Sequence, residues 1–147
     1  MNHRLSLFAA ILGAIALLFT SCSVMEAKKP TLKNSKWVCE KKMFVADVGT
    51  GTETYTLQFT SGKECLYIMS WYLPAHPSMY KNPDGTIDTN PARSSETIHK
   101  CTWEFRKGML TLTYEDGKHK VFYYKDNTFV TQDPFIEGSE MVFEKQD

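Results

Sequence analysis

The sequence predicts an all-β fold, an eight-stranded antiparallel up-and-down meander barrel, and three observations carry that expectation. Beyond residue 35 nearly every segment alternates apolar and polar residues with period two. Each run stops at a cluster of Gly, Asp, Asn or Ser, the residues that turns demand. No ten-residue segment carries a helical period. Eight short strands in consecutive hairpins leave two exposed edges, and closure into a barrel removes them. A two-sheet β-sandwich is the alternative arrangement.

The first strand is expected over Lys36–Asp47, with Trp37 and Cys39 sharing a face, and GTGT at 49–52 is expected to turn it. Thr54–Thr60 follows, with Tyr55, Leu57 and Phe59 inward and the threonines and Gln58 outward. Ser61-Gly62-Lys63 is a tight turn. Glu64–Leu73 is apolar on both faces through Leu66, Tyr67, Ile68, Met69, Trp71 and Tyr72. Residues 74–95 read as one long irregular loop. Thr97–Phe105 alternates again, with Cys101, Trp103 and Phe105 on one face, and Arg106-Lys107-Gly108 turns it. Met109–Glu115 presents Leu110, Leu112 and Tyr114 on one side, and Asp116-Gly117 is a strong hairpin signal. Lys118–Lys125, Thr128–Gln132 and Ser139–Lys145 complete the set.

Counting strands up and down places the tight turns at one end. The other end receives residues 48–52, the long 74–95 loop, Asp116-Gly117 and Asp133–Gly138. A loop of about twenty residues far exceeds the usual four to six, which favours a binding role over a simple connector. Trp71 and Tyr72 lie where the third strand enters it, and His76 and Tyr80 lie within it. Aromatic faces with polar tips suit sugars, peptides or lipids, so these four are the candidate ligand-binding residues. The bland alternative is that they pack the loop onto the barrel.

The N-terminus, MNHRLSLFAAILGAIALLFTSC, opens with basic His3 and Arg4 and continues as an apolar run over Leu5–Phe19. That run is shorter than the roughly 20 residues of a stable transmembrane helix, and its layout is that of a secretory signal. Phe19-Thr20-Ser21-Cys22 resembles the lipobox of bacterial lipoproteins, with Phe19 in place of the usual leucine. The resemblance implies a signal peptide over 1–21, lipidation of Cys22, and membrane anchoring through that lipid. Ser23, where an aspartate would imply inner-membrane retention, implies the outer membrane of the cell envelope. Residues 22–33 are polar and read as a tether, which leaves one domain over 34–147.

The whole chain has 17 basic and 17 acidic residues, and loss of Arg4 with the signal leaves a formal charge of −1. Without a basic patch, nucleic acid is excluded as a partner class. Cys39, Cys65 and Cys101 remain after Cys22. Their odd number leaves at least one thiol unpaired, and no C-x-x-C spacing supports a zinc or redox motif. Cys39 and Cys65 fall two strands apart, about 10 Å, beyond disulfide reach. Cys65 and Cys101 fall on neighbouring strands. A register symmetric about the long loop would pair Cys65 near Glu104, but so long a loop does not fix register, and the bridge stays open.

Leu32 and Trp37 in L-K-N-S-K-W, and the closing M-V-F-E-K at 141–145, are similar to the entry and the last strand of small lipocalin-like (calycin-type) lipoproteins. The glycine that usually precedes the Trp is absent. The resemblance implies a barrel domain with a ligand or partner at one mouth.

Catalysis needs a nucleophile, a base and an orienting group together. His76, His99 and His119 are scattered, and although His99 and Cys101 share a strand face, no third group is evident. No catalytic residue, cofactor or metal site is expected. Asn82, Asp84, Gly85 and Asp88 mimic part of a calcium loop. Counting from Gly85, however, puts Tyr80 and Pro91 where an EF-hand needs its first ligand and its bidentate glutamate, so Pro83-Asp84-Gly85 reads as a turn. The expected function is non-catalytic: a membrane-anchored lipoprotein binding a small apolar or amphipathic ligand, or a peptide, at the long-loop end. The alternative is an envelope protein-interaction module with a filled barrel and no cavity.

Overall fold

The computed structural model describes residues 29–46 and 48–147. The expected signal peptide over 1–21, the expected lipidation site Cys22, the start of the expected tether and Asp47 lie outside the described residues. Ten strands form: β1 (Lys36–Val45), β2 (Gly49–Phe59), β3 (Glu64–Leu73), β4 (His76–Lys81), β5 (Ile87–Asn90), β6 (Arg93–Arg106), β7 (Met109–Tyr114), β8 (His119–Lys125), β9 (Thr128–Gln132) and β10 (Glu140–Gln146). Eight of them close into an antiparallel barrel in the order β1-β10-β9-β8-β7-β6-β3-β2, while β4 and β5 pair with each other as a separate hairpin. This is the expected eight-stranded barrel, and its architecture is consistent with a lipocalin-like domain.

The turns explain why the chain reverses where it does. Lys107 (φ 49°) and Gly108 (φ 77°) both take positive φ, as do Asp126 (φ 50°) and Asn127 (φ 62°). Two successive positive φ angles are the type I′ geometry that matches the right-handed twist of hairpin strands. At the opposite end Tyr114 N donates to Lys118 O, and Asp116 Oδ1 accepts from Lys118 N, closing the β7–β8 turn.

Three expectations need correction. GTGT at 49–52 does not turn the chain; these residues begin β2, which already pairs with β1 at Val45↔Gly49, and Val48 N donates to Val45 O. Gly51 pairs with Met43 inside the β1–β2 ladder because a side chain is not admitted there: a Cβ would lie 2.7 Å from Tyr72 O and 2.8 Å from Met43 Cε. The segment 74–95 is not irregular, since it forms the β4–β5 hairpin and then joins β6 at Arg93. Consequently the β3–β6 register runs from Glu64↔Thr102 to Leu73↔Arg93 and sets Cys65 opposite Cys101, three residues from the symmetric estimate. Thr56 faces outward as expected, and is covered there between Val38 and Ile68.

Inward residues stack from an apolar floor to a polar top. Trp37, Leu57, Cys65, Leu110, Leu112, Phe122, Phe129, Met141 and Phe143 are buried in one cluster. The aromatic rings meet edge to face, with Trp37 and Phe129 at 4.7 Å and Phe122 and Phe143 at 5.3 Å, an arrangement favoured by the ring quadrupoles. Each such side chain contributes about 1.5–3 kcal/mol by leaving water. The chain itself seals the tight-turn end. Leu32, read from sequence as tether, is buried; Ser35 Oγ donates to Leu32 O at 2.6 Å, and Trp37 Nε1 donates to Ser35 Oγ at 3.0 Å.

Candidate ligand-binding cup

Strand length makes the barrel lopsided. β1, β2, β3 and β6 have 10 to 14 residues, while β7, β8, β9 and β10 have 5 to 7. The long strands pair along nearly their full length, as the β1–β2 ladder from Lys36↔Gln58 to Val45↔Gly49 shows. Where the tall and short walls meet, pairing stops early. β6 leaves β7 at Cys101↔Tyr114, and β1 leaves β10 at Val38↔Glu144. The floor is therefore closed all round, and the upper interior opens as a cup at the long-loop end.

The opening at the β6–β7 seam is a cavity of about 860 Å³. Tyr67, Met69, His99, Tyr114 and Lys120 line it from within, and Ile98, Lys100 and the β7–β8 turn flank its side entrance. Strand alternation places these inner residues. Lys120 is two residues from the fully buried Phe122 on the inward face of β8, Met69 is two from Tyr67 on β3, and His99 is two from Cys101 on β6. Tyr67 and Tyr114 meet edge to face at 6.4 Å, and His99 stands edge-on to Tyr114 at 5.5 Å.

The Lys120 ammonium is a half-buried charge on the inner wall. It lies 5.2 Å from the Tyr67 ring centroid and 5.8 Å from that of Phe122, within cation–π range. Burial lowers its pKa, and the negative charge of Asp133 offsets this in part. Asp133 itself belongs to Lys41, which donates to its Oδ2, while Phe135 N donates to Oδ1 at 2.9 Å. Those bonds hold its carboxyl below the ordinary range. Two further charges near the opening are partnered, while Lys100 and Glu115 at the side entrance are exposed. Lys118 Nζ lies 2.8 Å from Asp116, and Glu53 accepts from Tyr55 OH at 3.1 Å. Among the described residues, no carboxylate forms an ion pair with Lys120.

Among the described residues, Cys39, Cys65 and Cys101 are free and buried. Burial, and then the neighbouring Cys101, pushes the Cys65 thiol up to about 12, and burial also raises Cys39 and Cys101. A thiol held neutral is a poor nucleophile. Cys101 Sγ contacts the His99 backbone oxygen at 3.8 Å, while the His99 ring packs on Tyr114, so the two side chains form no thiol–imidazole pair.

The four aromatic and histidine candidates from sequence are not gathered into one place. Tyr72 borders a shallow depression of about 570 Å³ on the outer side of the tall wall, together with Thr52, Ser70 and Ser94, and Trp71 touches the same depression although it is in the inward phase of Tyr67 and Met69 on β3. His76 lies on β4, its Nδ1 3.2 Å from Pro74 O, and Tyr80 on the same hairpin is 82% exposed. The calcium-like stretch forms the hairpin tip. Asn82 Nδ2 donates to Thr86 Oγ1 and Asp88 Oδ1, and Asp84 Oδ1 accepts from both Thr86 N and Thr86 Oγ1. Its oxygens and amide are engaged with one another.

Sequence reasoning missed the inner wall of the cup. The signal was present: His119 to Lys125 carries a lysine in the same alternation phase as the core Phe122, which is unusual for a charged residue. Compared with protein-family models, curated proteins and solved structures, the chain matches none.

Proposed function

We propose that this protein is a non-catalytic, membrane-anchored lipoprotein that binds a small amphipathic ligand in the cup at the long-loop end of its barrel. The observation that carries this reading is the cup itself: an apolar floor of packed aromatic rings beneath an open volume of about 860 Å³, lined from within by Tyr67, Met69, His99, Tyr114 and Lys120 and bounded at its side by the charged β7–β8 turn and Lys100. An apolar pocket with a few convergent polar groups is the general form of a small-molecule site. The polar groups fix orientation, and the rings supply contact area. Anchoring rests on the lipobox-like Phe19-Thr20-Ser21-Cys22 and the apolar run before it. In this reading the lipid leaves from the sealed end, where Leu32 enters the floor, and the cup opens at the other.

A second reading, an envelope interaction module, is favoured by a different observation. Phe44, Met79, Tyr80, Ile87, Phe135 and Ile136 are exposed on the strand ends and loops of the open end, and clustered exposed apolar residues suit a protein partner.

Native mass spectrometry of protein taken from its own cell envelope separates the two. A co-purifying small molecule is expected, and its repeated absence would move the function to the interaction module. For the anchor, Cys22→Ser should release the protein from membranes; undiminished membrane attachment would defeat that part.

A further inference from the structure

We infer that the ligand of this cup is an amphipathic acid, its anionic head bound by the Lys120 ammonium and its apolar body lying against Tyr67, Met69 and Tyr114. The inference rests on the ligand-binding reading and goes beyond it by naming the ligand's chemistry.

The argument begins with the cost of the lysine. A half-buried ammonium gives up hydration, and proteins normally repay this with a carboxylate partner. The other charged groups of the upper barrel either have a partner, Lys41 with Asp133, Lys118 with Asp116 and Glu53 with the Tyr55 phenol, or, like Lys100 and Glu115 at the side entrance, stay exposed to water and keep their hydration. Lys120 has only the faces of Tyr67 and Phe122, at 5.2 and 5.8 Å. Asp133 acts on it at longer range, but its oxygens are occupied by Lys41 and by the Phe135 amide. The ammonium thus sits at the boundary between the apolar floor and the open cavity, with donor capacity facing space that a ligand can fill. A neutral ligand would leave that capacity unused and a cationic one would be repelled. An anion completes the pattern of the surrounding pairs, and charge-assisted hydrogen bonds are the strong ones. The same desolvation depresses the amine's pKa, which an anionic head would reverse.

Depth fixes the rest of the ligand. Above Lys120 the inner wall offers Met69 and Tyr114, while the other charged residues of the lining, Lys100, Glu115, Asp116 and Lys118, stand exposed at the side entrance. The ligand is therefore headed by its acid at the floor, with its apolar portion directed toward the seam and the mouth.

The test uses the full chain in lipid nanodiscs, titrated calorimetrically with 6-phenylhexanoate, 6-phenylhexanol and 6-phenylhexylammonium, with empty nanodiscs subtracted. The acid should bind about tenfold or more tighter than the alcohol, the scale of one charge-assisted hydrogen bond, and the ammonium weakest. Lys120→Met should abolish the preference while still binding the alcohol, and Lys120→Arg should keep it; the thermal melt of each variant reports that it folds. Equal binding of acid and alcohol by the wild type, or an acid preference surviving Lys120→Met, would overturn the inference while leaving a ligand-binding cup. No binding of any probe would overturn both.

Discussion

Lys120 and Phe122 lie two residues apart on the inward face of β8, yet the structure assigns them opposite consequences. Phe122 is fully buried, with its ring 6.3 Å from Tyr67 and 5.3 Å from Phe143, both edge-on. Phe122→Ala removes that ring from a floor that cannot collapse, because the barrel's hydrogen-bonded wall fixes the surrounding residues. The cost should be about 3–5 kcal/mol, the range for buried aromatic truncations, a melting-temperature loss of roughly 10–20 °C for a domain of this size. Lys120→Met sits one layer higher, at the cavity edge. It forfeits cation–π contacts of about 0.5–1 kcal/mol but also releases a desolvated charge, so stability should stay within about 1 kcal/mol of wild type. Urea denaturation followed by tryptophan fluorescence measures both, with Phe122→Leu as a milder substitute where Phe122→Ala leaves no folded baseline. Comparable large losses from the two positions would refute the reasoning, because the floor would then extend through the level of Lys120 and leave no cup.

Three other expectations follow from the same geometry. Asp133 anchors the β9–β10 loop through Lys41 and the Phe135 amide, so Asp133→Ala should cost about 1–3 kcal/mol by stranding those donors. Because its folded carboxyl lies below the unfolded value of about 3.9, its contribution is present above that pH and is lost as pH falls through the folded value. Acid titration of stability in wild type and variant checks both, and an unchanged acid limb would be the contrary result. Gly51→Ala should destabilise by about 1–3 kcal/mol through overpacking, since Met43 can swing aside but the Tyr72 carbonyl at 2.7 Å cannot; a melt matching wild type would argue against that close approach. Cys65, pushed up to about 12 when folded, ionises in the unfolded chain above about 8.5. Stability should therefore begin to fall above that pH and continue falling toward 12, less steeply in Cys65→Ala, and equal slopes in alkaline melts would contradict it.

The barrel was legible because it rests on short-range chemistry. Leu57, Phe59 and Leu112 alternate with polar neighbours, and Gly108 and Asp126-Asn127 are residue types that positive φ tolerates. Length and register were less legible, because they depend on partners distant in sequence. Gly51 looks like a turn residue until Tyr72 and Met43 are seen crowding it. Arg93–Glu96 looks like loop until β3 offers it a ladder. The cup was missed for a related reason. It arises from the difference in height between two walls, which no single segment encodes. Attention to large aromatics favoured Trp71, Tyr72 and Tyr80 at the rim over a lysine in an inward phase. Residues such as His99 and Lys120 acquire meaning only once closure sets them beside Tyr67 and Tyr114.

Amide chemical-shift mapping of the full chain in nanodiscs, titrated with an amphipathic acid, tests the cup most directly. The account predicts saturable shifts grouped at Tyr67, Met69, His99, Tyr114 and Lys120, on the inner faces of β3, β6, β7 and β8. Shifts confined to Phe44, Tyr80 and Phe135 at the outer rim, or no saturable shift at all, would contradict it.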